Sequence, residues 1–161
     1  MNEERKVIDS NTIVVFEEPT TYTYASKLNE ILKDFYGDVV INGDLYLDED
    51  LCLKCNLHVT EEIECGNKEG INIQGDLECW GYMDTYKIFV GGYLYCGDEI
   101  NSTDIKVGES LWCEDGIDAN GSDITVAGDF ECKSVAAEKI YVLGKVKVEN
   151  AIDADGLEIG Y

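Results

Sequence analysis

The residues best suited to chemistry by type and spacing are two cysteines and the single histidine of the chain. Cys52 and Cys55 form a Cys-x-x-Cys pair, and His58 follows after two further residues. Thiolate and imidazole groups at this spacing can bind zinc, and Cys65 is a candidate for the fourth ligand. A second Cys-x-x-Cys pair is absent, so the sequence leaves zinc binding open and we predict no cofactor.

Packing explains the seven cysteines better than reactivity does. Their odd number and the lack of an apolar export signal at the N-terminus favour reduced thiols in a cytoplasmic protein. Five of them recur in one context, two positions after a hydrophobic residue: Cys65, Cys79, Cys96, Cys113 and Cys132. We expect these five to stack as one inward column, in which burial makes the thiols unreactive.

Known catalytic patterns are missing from the sequence. A Ser-His-Asp triad cannot be built persuasively around one histidine, and the phosphate-binding pattern GxxxxGK[ST] is absent. The carboxylates of Asp48, Glu49 and Asp50 are conceivable calcium ligands, but the EF-hand and GGxGxD patterns are absent as well. We therefore expect a protein that is not an enzyme.

Negative charge dominates the composition. The chain of 161 residues carries 34 Asp and Glu against 12 Lys and Arg, a formal net charge of −22. This charge disfavours direct binding to nucleic acid, and no apolar run is long enough to cross a membrane. Because 45% of the residues are hydrophobic, the charge belongs to a folded domain rather than to a disordered tail.

An internal repeat determines where these side chains lie. Two apolar pairs of the form i and i+2 recur, and the second residue of one pair precedes the next pair by four positions, as in Ile71–Cys79, Ile105–Cys113 and Ile124–Cys132. The copies begin on average about 17 residues apart, at Val39, Leu57, Ile71, Ile88, Ile105, Ile124, Ile140 and Leu157.

A third apolar pair, such as Leu51/Leu53 or Ile117/Ala119, completes several copies. Three short strands joined by Gly, Asp and Asn corners then make one coil. This pattern predicts a mainly β fold, a triangular single-stranded β-solenoid of about seven coils over residues 39–161, with a right-handed coil favoured. An ordinary β-sandwich would instead show a turn every 8–12 residues or so.

Residues 1–38 lack the repeat and are predicted to form a small N-terminal α/β cap. Thr12–Glu17 has the pattern of a strand. Tyr24–Tyr36 has the pattern of an amphipathic helix, with one apolar face formed by Leu28, Ile31, Leu32 and Phe35. Such a strand–helix unit would cover the first coil of the solenoid.

The three-strand coil of Ile71–Cys79 and its copies, with i/i+2 aliphatic pairs and Gly-Asp corners, resembles the β-helix of bactofilins over residues 39–159. That resemblance implies end-to-end assembly through bare solenoid ends. The predicted N-terminal cap would block one end, whereas Leu157, Ile159 and Tyr161 begin an uncapped coil. We expect self-association there, as a homodimer. The hexapeptide solenoid of acyltransferases fits less well, because Asn72 or Phe89 stands where that fold has glycine.

The alternation of inward and outward side chains along each strand predicts a patterned surface of acids and aromatic residues. Acids recur at corners, so stacked coils would align them as carboxylate ladders, and aromatic residues between core positions must point outward. Other outward aromatic residues near strand ends are Trp80, Tyr82, Tyr86 and Tyr93. The predicted partner-binding residues are Asp98, Glu99, Glu114, Asp115, Asp76, Glu109, Phe89, Tyr95 and Trp112.

This surface predicts an inhibitor that imitates the charge of a nucleic-acid backbone and blocks the basic surface of a nucleic-acid-binding protein. A host defence nuclease or another DNA-handling enzyme is the expected target, and a phage anti-defence role fits. In charge and architecture the chain is similar to the acidic pentapeptide-repeat solenoids that mimic DNA, although their five-residue motif is absent. The alternatives are a bactofilin-like self-assembling scaffold and a charge that serves solubility only.

Overall fold

The computed structural model describes residues 4–9, 12–16 and 23–160, with side chains from Thr23 onward. It shows a mainly β chain folded as a parallel β-solenoid of about seven coils, with a small helix near the N-terminus. The predicted fold class is confirmed. Each coil contains three strands, and each strand pairs in parallel with the corresponding strand of the neighbouring coils.

The strands form three faces, which we name A, B and C in the order in which the chain visits them. Face A contains β4 (Asp38–Asn42), β7 (Asn56–Val59), β10 (Leu77–Cys79), β13 (Leu94–Cys96) and β16 (Leu111–Cys113). Face B contains β5 (Leu45–Leu47), β8 (Ile63–Cys65), β11 (Met83–Asp84), β14 (Ile100–Asn101) and β17 (Gly116–Asp118).

Face C contains β6 (Leu51–Leu53), β9 (Ile71–Ile73), β12 (Ile88–Val90), β15 (Ile105–Val107) and β18 (Ile124–Val126). The last two coils are each one long strand that bends around all three faces, β19 (Phe130–Val142) and β20 (Val146–Ile159). We name the corners by the faces they join: A–B, B–C and C–A.

Alternation explains the core. Inward and outward side chains alternate along each short strand, and in-register pairing stacks equivalent residues on one another, as in Leu77, Leu94 and Leu111 on face A. All three are fully buried, and the same holds for Ile88 and Ile105 on face C. The interior is therefore a set of aliphatic columns parallel to the solenoid axis.

The structure shows that the copies of the repeat do not all start on the same face. The copies that begin at Val39 and Leu57 start on face A, whereas those that begin at Ile71 and beyond start on face C. The three strands of a coil have nearly the same pattern, so the sequence alone does not distinguish a shift by one face. As a result, Cys65 lies on face B beside Leu47, and its predicted place in the cysteine column is wrong.

The N-terminal strands continue the stacking beyond the first full coil. β1 (Glu4–Asp9) pairs antiparallel with β2 (Thr12–Phe16), which pairs in parallel with β4. β3 (Thr23–Tyr24) pairs with β5 on face B. The strand predicted from Thr12 is confirmed, β1 was not predicted, and the domain boundary after residue 38 stays a prediction.

The helix α1 (Ala25–Ile31) occupies the place of a strand above face C. It ends five residues before the predicted Tyr36, because the chain leaves helical geometry at Leu32 (ψ 14°). Leu28 and Leu32 are fully buried, as expected from the apolar face. The side chain of Asn29 accepts a hydrogen bond from the backbone N–H of Cys52 (3.0 Å) and so covers the edge of β6. No helix in the described part of the chain is long and apolar enough to cross a membrane.

Close stacking at the C–A corner gives a test of the coil register. A Cβ atom on Gly108 would overlap the backbone carbonyl oxygen of Gly91 in the preceding coil. We expect Gly108→Ala to destabilise the fold by about 1–3 kcal/mol, as overpacking typically does. In the control Gly156→Ala, the new Cβ would lie 3.5 Å from the flexible Lys139 side chain, and we expect little change. Urea denaturation followed by circular dichroism measures both, and equal stabilities would contradict the register.

Candidate protein-interaction face

The outward side chains of face A form one column along the solenoid. They occupy the middle position of each strand, between the two buried residues. In-register pairing places them in the order His58, Glu78, Tyr95, Trp112, Glu131 and Lys147. Neighbours in such a column lie about 4.8 Å apart, so the column combines carboxylates and aromatic rings at contact distance.

Two corners add further acids on either side of this column. The A–B corner carries Asp98, Glu99, Glu114 and Asp115, and the C–A corner carries Asp76 and Glu109. With Tyr95 and Trp112, eight of the nine predicted partner-binding residues therefore share one side of the solenoid. We call face A with these two corners the acidic face.

Phe89 is the exception, because it lies apart from the other eight residues. It points outward as predicted, but on face C, between Asn72 and Lys106 of the neighbouring coils. The Lys106 amine lies 5.4 Å from the centre of its ring. Parity predicts whether a side chain is inside or outside, but it does not say on which face the side chain lies.

Aromatic rings form two contacting groups on the acidic face. Trp80, at the A–B corner, lies between His58 (5.9 Å between ring centres, stacked) and Tyr95 (5.2 Å). Trp112 contacts Tyr93 at 6.4 Å. Trp80 and Trp112 are the only tryptophans of the chain, and they are 53% and 43% exposed. Large exposed rings of this kind commonly anchor protein interfaces.

Glu78 connects these groups by polar contacts. It accepts a hydrogen bond from the Tyr93 hydroxyl, and its other oxygen lies 3.5 Å from Nδ1 of His58. The hydrogen bond to Glu78, together with burial, raises the pKa of Tyr93 to about 12. Sequence reasoning missed Glu78 and His58 as members of this surface, although their middle-of-strand positions were the available signal.

Lysines neutralise two acids in the C-terminal part of the acidic face. The amine of Lys133 lies 3.7 Å from Asp115, and that of Lys147 lies 2.6 Å from Glu131. Within the described side chains, five of the six predicted acids on this face make no ion pair: Asp76, Asp98, Glu99, Glu109 and Glu114. The described part of the chain therefore does not neutralise these carboxylates.

Crowding of acids also affects the pKa of one carboxyl group at the A–B corner. The pKa of Glu62 is raised by burial and by the nearby carboxylates of Asp44 and Glu64, and Asp98 contributes from farther along the solenoid. Like-charge repulsion of this kind costs stability. A binding partner with positive charge would relieve it.

The cysteine column helps to hold the acidic corner in place. Cys79, Cys96, Cys113 and Cys132 are buried on face A, as predicted. The thiol of Cys113 donates a hydrogen bond to the backbone carbonyl of Asp98 (2.9 Å), and that of Cys96 to Glu99 (3.4 Å). Burial raises the pKa of Cys132 to about 12. These thiols are thus structural groups that bind the backbone of the carboxylate ladder.

The zinc candidates identified in the sequence do not converge. Cys52 is exposed on face C, Cys55 is buried near the C–A corner and His58 faces outward on face A. Burial raises the pKa of Cys55 to about 11, which disfavours the thiolate form that binds metals. Among the residues whose side chains are described, no three His, Cys, Asp or Glu side chains form a metal-binding group.

The acidic run considered for calcium has a structural use. Asp48 accepts hydrogen bonds from the backbone N–H (2.8 Å) and the hydroxyl of Ser26. Glu49 accepts one from the side chain of Asn29 (2.9 Å). These acids lie at the B–C corner and hold α1 against the solenoid, away from the acidic face.

Two shallow grooves cross the acidic face. One, of about 180 Å³, is bordered by Asp76, Glu78 and Tyr93. The other, of about 370 Å³, is bordered by Trp112 and Glu114. Both combine an aromatic ring with carboxylates, which suits a positively charged side chain.

Comparison with protein-family models, with curated proteins and with solved structures finds no match to this chain. The resemblance to bactofilins is therefore one of periodicity and architecture. Charge, exposed rings and geometry on the acidic face are the observations that bear on function.

The link between Tyr93 and Glu78 can be tested by titration. Subtracting the absorbance titration of Tyr93→Phe at 295 nm from that of the wild type isolates Tyr93, with an expected midpoint of about 12. In Glu78→Gln the hydrogen bond to a charged acceptor is lost, so the midpoint should fall toward the ordinary value of about 10. An unchanged midpoint would show that Glu78 does not hold this ring.

Proposed function

We propose that the protein is a non-enzymatic acidic binding protein whose acidic face occupies the basic, nucleic-acid-binding surface of a partner protein. The observation that carries this proposal is the convergence of unpaired carboxylates and two exposed tryptophans on one side of a regular solenoid. Patterned charge with exposed anchors suits a specific partner better than it suits solubility alone.

The spacing of the charges supports the imitation of a nucleic acid. Coils repeat about every 4.8 Å along the axis, and two carboxylate rows flank the column of face A. Duplex DNA presents phosphates about every 3.4 Å of axis on each strand. A protein groove lined by Lys and Arg would therefore contact negative charges at a similar spacing whether it binds duplex DNA or the acidic face.

A host defence nuclease or another DNA-handling enzyme is the class of partner that this charge pattern fits. Such a target would make the protein an inhibitor of the kind that phages and mobile elements use against host defences. Long-range attraction between the acidic face and a basic cleft would speed association and make binding sensitive to salt.

Charge reversal on the acidic face tests the proposal. The variant Asp98→Lys, Glu99→Lys, Glu114→Lys and Asp115→Lys should lower capture of nucleic-acid-binding proteins by about tenfold or more. The matched control reverses four acids at the opposite B–C corner: Asp104, Asp123, Glu138 and Asp155. It carries the same net charge and should retain capture.

The readout is mass spectrometry of proteins from a cell lysate retained on the immobilised chain. Retained proteins should be released by rising salt and also by excess duplex DNA, because both compete for the same basic surface. Equal capture by the two charge-reversed variants, or retention that DNA does not disturb, would contradict nucleic-acid mimicry.

A second candidate function is self-association of the bactofilin type, and the last described coil favours it. β20 has no strand partner on its outer edge among the described residues. Its apolar side chains Ile152, Leu157 and Ile159 are 43%, 40% and 56% exposed, whereas Tyr161 lies outside the described residues. At the other end, α1 and β2 cover the first coil, so a dimer fits this arrangement better than a filament.

Sedimentation velocity at rising concentration distinguishes these states. We expect a concentration-dependent dimer, and Leu157→Asp with Ile159→Asp should convert it to a monomer, because carboxylates in an apolar interface are costly. Leu143→Asp is the control, since Leu143 is 45% exposed but lies at the C–A corner. A wild-type chain that stays monomeric, or that forms long polymers, would contradict the dimer.

A further inference from the structure

Rings and carboxylates lie next to each other along the acidic face in a way that suits one kind of cation. In the column of face A, Glu78 precedes Tyr95 and Trp112, and Glu131 follows them. Trp80 lies against Tyr95 from the A–B corner. A flat cationic group placed on Trp112 would therefore also lie near the carboxylate of Glu131.

The two grooves repeat this combination at separate places. The first brings the Tyr93 ring together with Asp76 and Glu78. The second brings the rings of Tyr95 and Trp112 together with Glu114. In the first groove, Glu78 accepts a hydrogen bond from the Tyr93 hydroxyl. This bond holds the ring beside the carboxylates in the absence of a partner.

The guanidinium group of arginine matches this arrangement better than the ammonium group of lysine. It is planar, stacks on aromatic rings and donates two parallel hydrogen bonds to one carboxylate. The lysine ammonium is compact and strongly hydrated, so it gains less from a ring and binds a carboxylate as a point charge. Charge alone attracts both cations equally, whereas the rings distinguish them.

We infer that the acidic face selects arginine over lysine, and that its partner presents an arginine-rich surface that stacks on Trp80 and Trp112. This inference rests on the proposed function, since it specifies the chemistry of the partner of the same face. Arginine-rich surfaces are common where proteins contact phosphates, so this selectivity also agrees with a partner that binds nucleic acid.

Two peptides of equal length and charge provide the test: a labelled decamer of arginine and a labelled decamer of lysine, whose fluorescence anisotropy reports binding to the full chain. We expect the arginine peptide to bind about fivefold more tightly or better at the same salt concentration. Because both tryptophans of the chain lie on the acidic face, a change in intrinsic tryptophan fluorescence on binding locates the peptide there.

Variants separate the contribution of the rings from that of the charge. Trp80→Leu combined with Trp112→Leu should abolish the preference for arginine while leaving the lysine peptide's affinity nearly unchanged. Phe89→Leu is the matched control on face C and should keep the preference. Glu114→Gln with Asp76→Asn should weaken both peptides. If the double variant does not fold, the two single tryptophan variants replace it in the binding assay. Thermal unfolding checks that each of them is folded.

The outcomes distinguish this inference from the proposed function. If neither peptide binds, the proposed function fails together with the inference. If both bind with equal affinity, the acidic face remains a binding surface but arginine selectivity is wrong. A preference that survives loss of both tryptophans, or that disappears in Phe89→Leu, would also overturn the inference.

Discussion

The structure depends on one constraint, the parallel in-register stacking of each strand on the corresponding strand of the neighbouring coil. Backbone N–H and C=O groups along a coil are satisfied by its neighbours, as the bonds from Leu94 to Ser110 and from Leu77 to Tyr93 show. In-register stacking forces equivalent residues into columns. Inside, this produces aliphatic columns. At the C–A corner it brings the backbones of neighbouring coils so close together that Gly108 has no space for a side chain.

Outside, the same constraint produces columns of charge. Carboxylates that recur at corresponding corners are brought close together despite their repulsion, and burial together with this crowding raises the pKa of Glu62. The fold compensates in part through buried thiols that bind the corner carbonyls of Asp98 and Glu99. The acidic face is thus held by the stacked coils and by these hydrogen bonds, and a preformed surface of this kind suits recognition because a partner need not order it.

Much of the fold was predictable because its signals are local. The i/i+2 apolar pairs, the corner residues and the apolar face of Leu28 and Leu32 each depend on residues close in sequence. The length of α1 was not predictable in this way, since the helix ends where it has covered face C of the first coil. The contacts of Glu78 with Tyr93 and His58 join separate coils, and no local pattern specifies them.

The sequence by itself determined which side chains point inward and which point outward, because the alternation of side chains along a strand is a property of adjacent residues. Only the tertiary structure decided which exposed residues are neighbours. Corner lengths vary from coil to coil, so a shift by one face is invisible in the repeat. That shift moved Cys65 out of the cysteine column. The stacking of the coils also placed Phe89 on face C, apart from Trp112, and placed Asp76 and Asp98 at opposite borders of face A.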